Sequence, residues 1–181
     1  LLAPMAMTAD VYHIAIQGPI DSISAEYIID SMSKIREKSD AELVVIEMDT
    51  PGGLDSAMRT IIKEMLRSPA PVVVFVSPRG ARAASAGFFI TVAADIAAMA
   101  PGTNMGAASP VSALGQKLDD TMKAKITNDA VSYIRSLARN RGRDEDMAAR
   151  AVTESLSYTV DECLAGRLAD LSAENLEDLL Q

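Results

Sequence analysis

Short apolar runs alternate along this chain with longer segments in which apolar residues recur at helical spacing. Three of the runs are VYHIAI from Val11 to Ile16, LVVIEM from Leu43 to Met48, and VVVFVS after Pro71. A fourth and shorter run covers Ile96 to Met99. These runs predict strands, and the nearly all-apolar LVVIEM is typical of a strand inside a parallel sheet.

The segments between the runs predict helices. Asp21 and Ser22 can cap a helix that continues to about Lys38. Its apolar face is formed by Ala25, Ile28, Ile29, Met32 and Ile35. The other predicted helices span about 55–67, RAASAG to about 94, about 125–140, and roughly 144–152, 160–166 and 174–180, while 103–120 look irregular. The alternation predicts βαβ units with right-handed crossovers around a parallel sheet.

Composition narrows the class of protein. The chain has 181 residues, 49% of them apolar and only 4% aromatic, which predicts one domain with a core of small aliphatic residues and Met. The net charge of −8 opposes nucleic-acid binding. Cys163 is the single cysteine, so it cannot form an internal disulfide, and we expect it to be a small buried group. One cysteine and one histidine do not favour a zinc site, and no cofactor is expected.

Two loops follow predicted strands at the sheet edge where ligands bind in open α/β folds. DTPGG follows the second strand, and its Gly52 and Gly53 allow close backbone approach and outward-pointing amides. RGARAASAG follows the third strand and places Ser85, among small neighbours, at a helix start. Each motif alone is more typical of a turn or a helix cap. Together they predict a Ser85 nucleophile beside oxyanion-binding amides of Gly53 and Ala86.

A serine nucleophile needs a base. The only histidine, His13, lies in the first predicted strand, where a structural role is the better interpretation. A lysine can serve if burial lowers its pKa from about 10.4 toward neutrality. Lys123 and Lys125 lie near the start of the long helix. Lys125 is at the edge of the apolar stripe, so we expect it to be buried, whereas Lys123 follows two aspartates that would keep it charged.

Four motifs in order resemble the ClpP-like domain of the NfeD-type membrane-bound serine proteases, which are encoded beside stomatin-like proteins. They are MDTPGG, RAASAGFFITVAAD, MAPGTNMGAASP and KITNDAVSYIRSLA, and the resemblance covers about residues 11–180. It implies a ClpP/crotonase-like α/β fold of repeated β-β-α and βαβ units around a mostly parallel sheet. NMGAASP has no histidine where ClpP has one, which matches the Ser–Lys dyad of the NfeD type.

Carried over by motif, the resemblance assigns the nucleophile to Ser85 and the general base to Lys125. It places the oxyanion hole at Gly53 and Ala86, with Gly52 from the same PGG motif. No carboxylate matches a third catalytic residue. The resemblance also implies a homodimer, a membrane anchor in the full-length protein, and an extracytoplasmic position for this soluble fragment.

The implied substrates are apolar peptide segments, such as the hydrophobic C-terminal region of a stomatin-like partner. We expect residues 11–181 to form the protease domain and residues 1–10 to be a signal-segment remnant or a disordered end. Two alternatives stay open. One is a crotonase-like acyl-CoA enzyme, which shares the fold and the paired amides, and the other is a non-catalytic scaffold that binds stomatin-like proteins.

Overall fold

The computed structural model describes residues 10–38, 41–111 and 119–181, so residues 1–9 of the predicted terminal segment lie outside it. The elements in chain order are β1 (Asp10–Gln17), α1 (Ser22–Arg36), β2 (Ala41–Asp49), α2 (Asp55–Met65), β3 (Val72–Val76), β4 (Arg82–Ala84), α3 (Ala86–Ala93), β5 (Ile96–Met99), β6 (Asn104–Gly106), α4 (Asp120–Asn140), α5 (Glu145–Thr153), β7 (Ser157–Thr159), α6 (Val160–Ala165), β8 (Leu171–Ser172) and α7 (Leu176–Leu179).

The main sheet has the strand order β1-β2-β3-β5-β8, and every neighbouring pair is parallel. This confirms the predicted parallel sheet. The helices α1, α2 and α3 form the connections between its first four strands. Because the strands run in one direction, the loops that follow β1, β2 and β3 meet at the same edge of the sheet.

A second sheet, β4-β6-β7, stands at that edge. Its strands have three residues each, with β4 and β6 parallel and β6 and β7 antiparallel. It joins the main sheet through Thr50, whose N–H donates to Arg82 O at 2.7 Å and whose O accepts from Ala84 N at 3.1 Å. The sequence did not predict these strands, because three residues are too few to show a period of two.

The core packs on both faces of the main sheet. One face carries Ile46 and Val74 against α1–α4, where Ile28 and Phe88 are completely buried. The opposite face carries Val45, Val73 and Phe75, packed against Leu176 and Leu179 of α7. The mostly aliphatic core agrees with the prediction from composition.

Helix α4 begins at Asp120, five residues earlier than predicted, because the Asp119 side chain caps it by accepting from Met122 N at 2.8 Å. Its buried residues are Ala130, Ile134, Leu137 and Ala138. The predicted stripe started at Ile126, but Ile126 is 38% exposed. The prediction was wrong for the first turns, because this end of α4 forms one wall of an open cleft.

Candidate active site

A cleft of about 580 Å³ opens at the carboxyl edge of the sheet. Its walls are the loop after β2 with the start of α2, the start of α3, the segment after β6, and the first half of α4. It is lined by Gly53, Leu54, Asp55, Met58, Arg59, Ser85, Ala86, Phe89, Ala108, Pro110, Val111, Lys125, Ile126, Asp129 and Ala130. The structure thus brings Ser85, Lys125, Gly53 and Ala86 to one cleft.

Ser85 occupies a strained turn between β4 and α3, with φ 52° and ψ −114°. Such a conformation costs an L-residue about 1–3 kcal/mol and persists only where the surroundings enforce it. Here the backbone is fixed because Ser85 N donates to Gly106 O at 2.9 Å and Ser85 O accepts from Phe88 N at 3.0 Å. The side chain makes no capping hydrogen bond to α3, so the helix-cap interpretation of this serine does not hold.

Gly52 lies directly against Ser85. Its φ is +106°, and a Cβ built there would be 2.5 Å from Ser85 Cβ. The Gly52 N–H donates to Thr50 Oγ1 at 3.1 Å, and its carbonyl accepts from Ile20 N at 2.8 Å. Gly52 therefore allows the close approach of the two loops, while its amide is already engaged and is not free to bind an oxyanion.

The amides of Gly53 and Ala86 differ from that of Gly52. Neither donates a hydrogen bond to another described residue, and both residues line the cleft beside Ser85. Ala86 is the first residue of α3, where the unpaired N–H groups carry partial positive charge. A Cβ at Gly53 would lie 1.9 Å from Ile20 O, so only glycine fits there. These two amides can stabilise a negative oxygen near Ser85.

Lys125 reaches the cleft from α4, but its side chain is exposed, so the predicted burial was wrong. Among the described residues, it forms no ion pair with a carboxylate and no hydrogen bond with the Ser85 hydroxyl. Lys123 is also exposed and does not line the cleft. The two lysines therefore differ in position rather than in burial.

A charged cluster that the sequence analysis missed also lines the cleft, around Arg59 of α2. Its Nε donates to Asp55 at 2.8 Å and its Nη2 to Asp129 of α4. The guanidinium lies 4.3 Å from the ring centroid of Tyr133, which stacks on Phe89 of α3 at 6.0 Å. Desolvation lowers the pKa of Arg59, but the two aspartates outweigh this and raise it above its ordinary value. Only the i,i+4 spacing of Asp55 and Arg59 was a signal in the sequence.

The other candidate groups lie outside the cleft. His13 pairs with Glu47 across β1 and β2 at 2.9 Å, in agreement with the structural interpretation. Cys163 is completely buried in α6, and burial, followed by the charge of Glu162, raises its pKa to about 12. Its thiol is therefore protonated at neutral pH and a poor nucleophile. Among the described residues that line the cleft, Ser85 is the only one with a hydroxyl or thiol.

The fold defines the class of protein. ClpP1 from Listeria monocytogenes superimposes with a TM-score of 0.74 at 19% sequence identity, over 92% of this chain and 94% of ClpP1. The chain therefore has a ClpP-like fold, which confirms the predicted architecture. Residues 10–179 match the family described as NfeD1b, N-terminal domain. The chain belongs to this family, and the resemblance seen in the four motifs is confirmed.

Two curated relatives extend the comparison. The chain is 37% identical over 184 residues to the membrane-bound protease PH1510 of Pyrococcus horikoshii, covering 100% of this chain and 41% of the relative. It is 27% identical over 185 residues to the membrane protein NfeD1b of Bacillus subtilis, covering 94% of this chain and 40% of that relative. The chain thus spans about two fifths of the length of these relatives. In the part of this chain that the structure describes, no helix is both long and apolar enough to cross a membrane.

Two solved structures of a protein described as the 1510-N membrane-bound stomatin-specific protease are similar to this one. A lysine-to-alanine mutant in complex with a substrate peptide has a TM-score of 0.85 at 36% identity, over 94% of this chain and 78% of that chain. A serine-to-alanine mutant has a TM-score of 0.86 at 37% identity, over 94% of this chain and 82% of that chain.

The contact between Gly52 and Ser85 gives a prediction about stability. Gly52→Ala should lower the free energy of unfolding by at least about 1 kcal/mol more than Gly80→Ala, because an added methyl must displace Ser85. Gly80 is the matched control, since its φ of +84° imposes similar backbone strain but nothing lies within 4 Å of its added Cβ. Urea denaturation of the two variants measures the difference. Equal losses would show that the contact with Ser85 is not tight.

Proposed function

We propose that this domain is a serine endopeptidase in which Ser85 is the nucleophile and Lys125 the general base, and that it cleaves apolar peptide segments. One observation carries the proposal. Among the described residues that line the cleft, the only hydroxyl sits in a strained strand-to-helix turn beside two amides without a described partner, with Lys125 on another wall of the cleft. A serine held on such a turn is exposed to substrate in other hydrolases. The similarity to structures of a stomatin-specific protease also supports assignment of this domain as a protease.

The reaction follows from these positions. Ser85 Oγ attacks the peptide carbonyl carbon while the neutral Lys125 amine takes the hydroxyl proton. The carbonyl oxygen becomes negative and accepts hydrogen bonds from the Gly53 and Ala86 amides. When the C–N bond breaks, the Lys125 ammonium returns the proton to the leaving amine, and an ester on Ser85 remains. Water, deprotonated by Lys125, then hydrolyses the ester and restores both residues.

The exposure of Lys125 bears on substrate choice. Only the neutral amine of a lysine can take a proton from the serine hydroxyl. An apolar segment in the cleft would exclude water from the amine, and desolvation favours the neutral form. Leu54, Val111 and Ile126 offer such a segment partly exposed apolar surface on the cleft walls, at 41%, 85% and 38% exposure. Binding an apolar substrate thus helps to produce the base.

The proposed partner is a stomatin-like membrane protein, cut in its hydrophobic C-terminal region. The support is the apolar cleft wall together with the description of 1510-N as stomatin-specific. We further propose that the domain works as a homodimer and lies outside the cytoplasm in a membrane-anchored protein, in keeping with the membrane-bound relatives.

An acyl-CoA enzyme would use the same two amides but also needs free cations for the CoA phosphates. Among the described residues, the cations that line the cleft are Arg59 and Lys125, and Arg59 is already paired with two aspartates. This arrangement favours the protease. The scaffold alternative predicts binding of a stomatin-like segment without turnover. Labelling of Ser85 by a fluorophosphonate probe separates the protease from both alternatives.

The first test replaces the nucleophile. Ser85→Ala should abolish peptide cleavage and labelling by a fluorophosphonate probe, a loss of at least about a thousandfold, while the midpoint of thermal unfolding changes little. Cleavage is measured on a peptide library by mass spectrometry. Ser109→Ala is the control, because Ser109 is a nearby hydroxyl bonded to Val152 O and Ser155 and does not line the cleft. Undiminished turnover by pure Ser85→Ala protein would refute the assignment.

The second test compares the two lysines. Lys125→Ala should lower the cleavage rate by about two to four orders of magnitude, as loss of a general base does, whereas Lys123→Ala should cost little. The wild-type rate should rise with pH and follow a single deprotonation, because only the neutral amine accepts the proton. Rates of both variants on one peptide across the alkaline range provide the measurement. An inactive Lys123→Ala protein, an active Lys125→Ala protein, or an acidic pH optimum would contradict the assignment.

The third test concerns the residue before the scissile bond. Peptides with Leu there should be cleaved faster than matched peptides with Asp, because the cleft carries two aspartates and exposed apolar walls. The ratio of kcat/KM for the two peptides is the measurement, with Asn in place of Asp as a control for polarity alone. A preference for Asp or Glu would contradict the proposed substrate class.

A further inference from the structure

Asp129 lies four residues after Lys125 on α4, and both side chains line the cleft. Residues at this spacing share one helix face, and a lysine and a carboxylate there ordinarily attract each other. Such an ion pair would hold Lys125 in its charged form, in which it cannot take a proton. Yet Asp129 pairs with Arg59 of α2, and Lys125 forms no ion pair with a described carboxylate.

We propose that Arg59 is a positioning residue that holds the Asp129 carboxylate against α2 and thereby keeps it from pairing with the Lys125 amine. The inference rests on the proposed function, in which Lys125 is the base. It adds a role for a residue that itself takes no part in proton transfer.

The geometry of Arg59 suits this role. Its planar guanidinium donates to two carboxylates at once, from Nε to Asp55 at 2.8 Å and from Nη2 to Asp129. Its face also lies over Tyr133, 4.3 Å from the ring centroid. Lysine has a single ammonium and cannot make this set of contacts, so a guanidinium is the better competitor for Asp129. The side chain of Arg59 is 28% exposed and that of Asp129 is 68% exposed, so water screens the pair in part.

In the described part of the chain, few charged groups face Lys125 across the cleft. Helix α2 contributes Asp55 and Arg59, and α4 itself contributes Asp129. The other walls contribute Phe89 of α3 and, from the segment after β6, Ala108, Pro110 and Val111, none of which titrates. Among these described groups, Lys125 is the one remaining cation that Asp129 could bind if Arg59 were lost.

The same contacts join the three elements that supply the site. Arg59 follows the Gly53 loop on α2, Asp129 and Tyr133 lie on α4 with Lys125, and Tyr133 stacks on Phe89 of the helix that begins after Ser85. Loss of Arg59 could therefore also loosen α4. The experiment must separate this mechanical effect from the electrostatic one.

The test is a charge-balanced pair of variants. Arg59→Gln should move the midpoint of the pH–rate profile at least about half a unit to alkaline pH, which lowers the rate below the midpoint by about threefold or more. Arg59→Gln combined with Asp129→Asn restores the net charge of the cluster and should return the midpoint to the wild-type value. Arg150→Gln is the control, because Arg150 pairs with Glu154 just after helix α5 and does not line the cleft. A loosened α4 alone would lower the rate at every pH, leave the midpoint in place and show no rescue, and this outcome would overturn the proposal.

A second readout does not require turnover. The protein is labelled with ¹³C at lysine Cε, and the Lys125 signal is assigned by its absence in Lys125→Arg. This signal should titrate at higher pH in Arg59→Gln than in the wild type. In the double variant its titration midpoint should return to the wild-type value. If Arg59→Gln shows this shift but the wild-type protein cleaves no peptide, the role of Arg59 is supported and the proposed function fails. Cleavage that needs Ser85 and Lys125, with no such shift, would overturn the role of Arg59 alone.

A single variant covers the case in which Arg59→Gln does not fold. Asp129→Asn should leave the Lys125 titration within about a quarter of a unit of wild type, because Asp129 is already held by Arg59. A fall of half a unit or more would show that Asp129 pairs with Lys125 in solution, and the proposal would be wrong.

Discussion

The contact between the Gly52 backbone and Ser85 is the constraint on which the site depends. The loop after β2 can approach the turn before α3 only because residue 52 has no Cβ, which would lie 2.5 Å from Ser85 Cβ. The turn before α3 holds Ser85 at a positive φ of 52°. Hydrogen bonds from Ala84 N to Thr50 O and from Ser85 N to Gly106 O fix it from two sides. The second sheet is therefore the scaffold that holds this strained residue beside the main sheet.

The two edges of the main sheet are built differently. At the amino edge, Asp95 accepts from Val72 N at 2.8 Å and Asp170 accepts from Ala97 N at 2.7 Å. Arg141 binds Asp95, and Arg143, which is only 4% exposed, binds Asp170. Desolvation lowers the pKa of Arg143, although the charge of Asp170 opposes the shift.

Polar groups at this edge are satisfied within the protein, whereas the carboxyl edge leaves the Gly53 and Ala86 amides without a described partner. The satisfied polar groups and the candidate active site thus occupy opposite ends of the same strands.

Sequence patterns predicted the parts of the fold that are long enough to show a period. The strands β1, β2, β3 and β5 and the helices α1, α2 and α5 are close to their predicted bounds, since apolar residues recur through each of them. The strands β4, β6 and β7 were missed because their pairing partners lie far along the chain. The meeting of Ser85, Gly53 and Ala86 in one cleft could be predicted because two loop motifs follow successive parallel strands. The engagement of the Gly52 amide by Thr50 could not be found, since a side chain two residues away gives no sequence signal.

The wrong prediction of burial for Lys125 and the failure to predict the Arg59 cluster have one cause. An apolar stripe shows which face of a helix is buried, but not how far along the helix the burial extends, and in α4 it begins at Ala130. Arg59 and Asp129 are 70 positions apart, and only the crossing of α2 and α4 brings them together. The net charge of −8 does not decide how Lys125 ionises, because salt screens charges more than about 8 Å apart. In the proposed mechanism, the state of the Lys125 amine is set locally, by which cation Asp129 binds and by how much water reaches the amine.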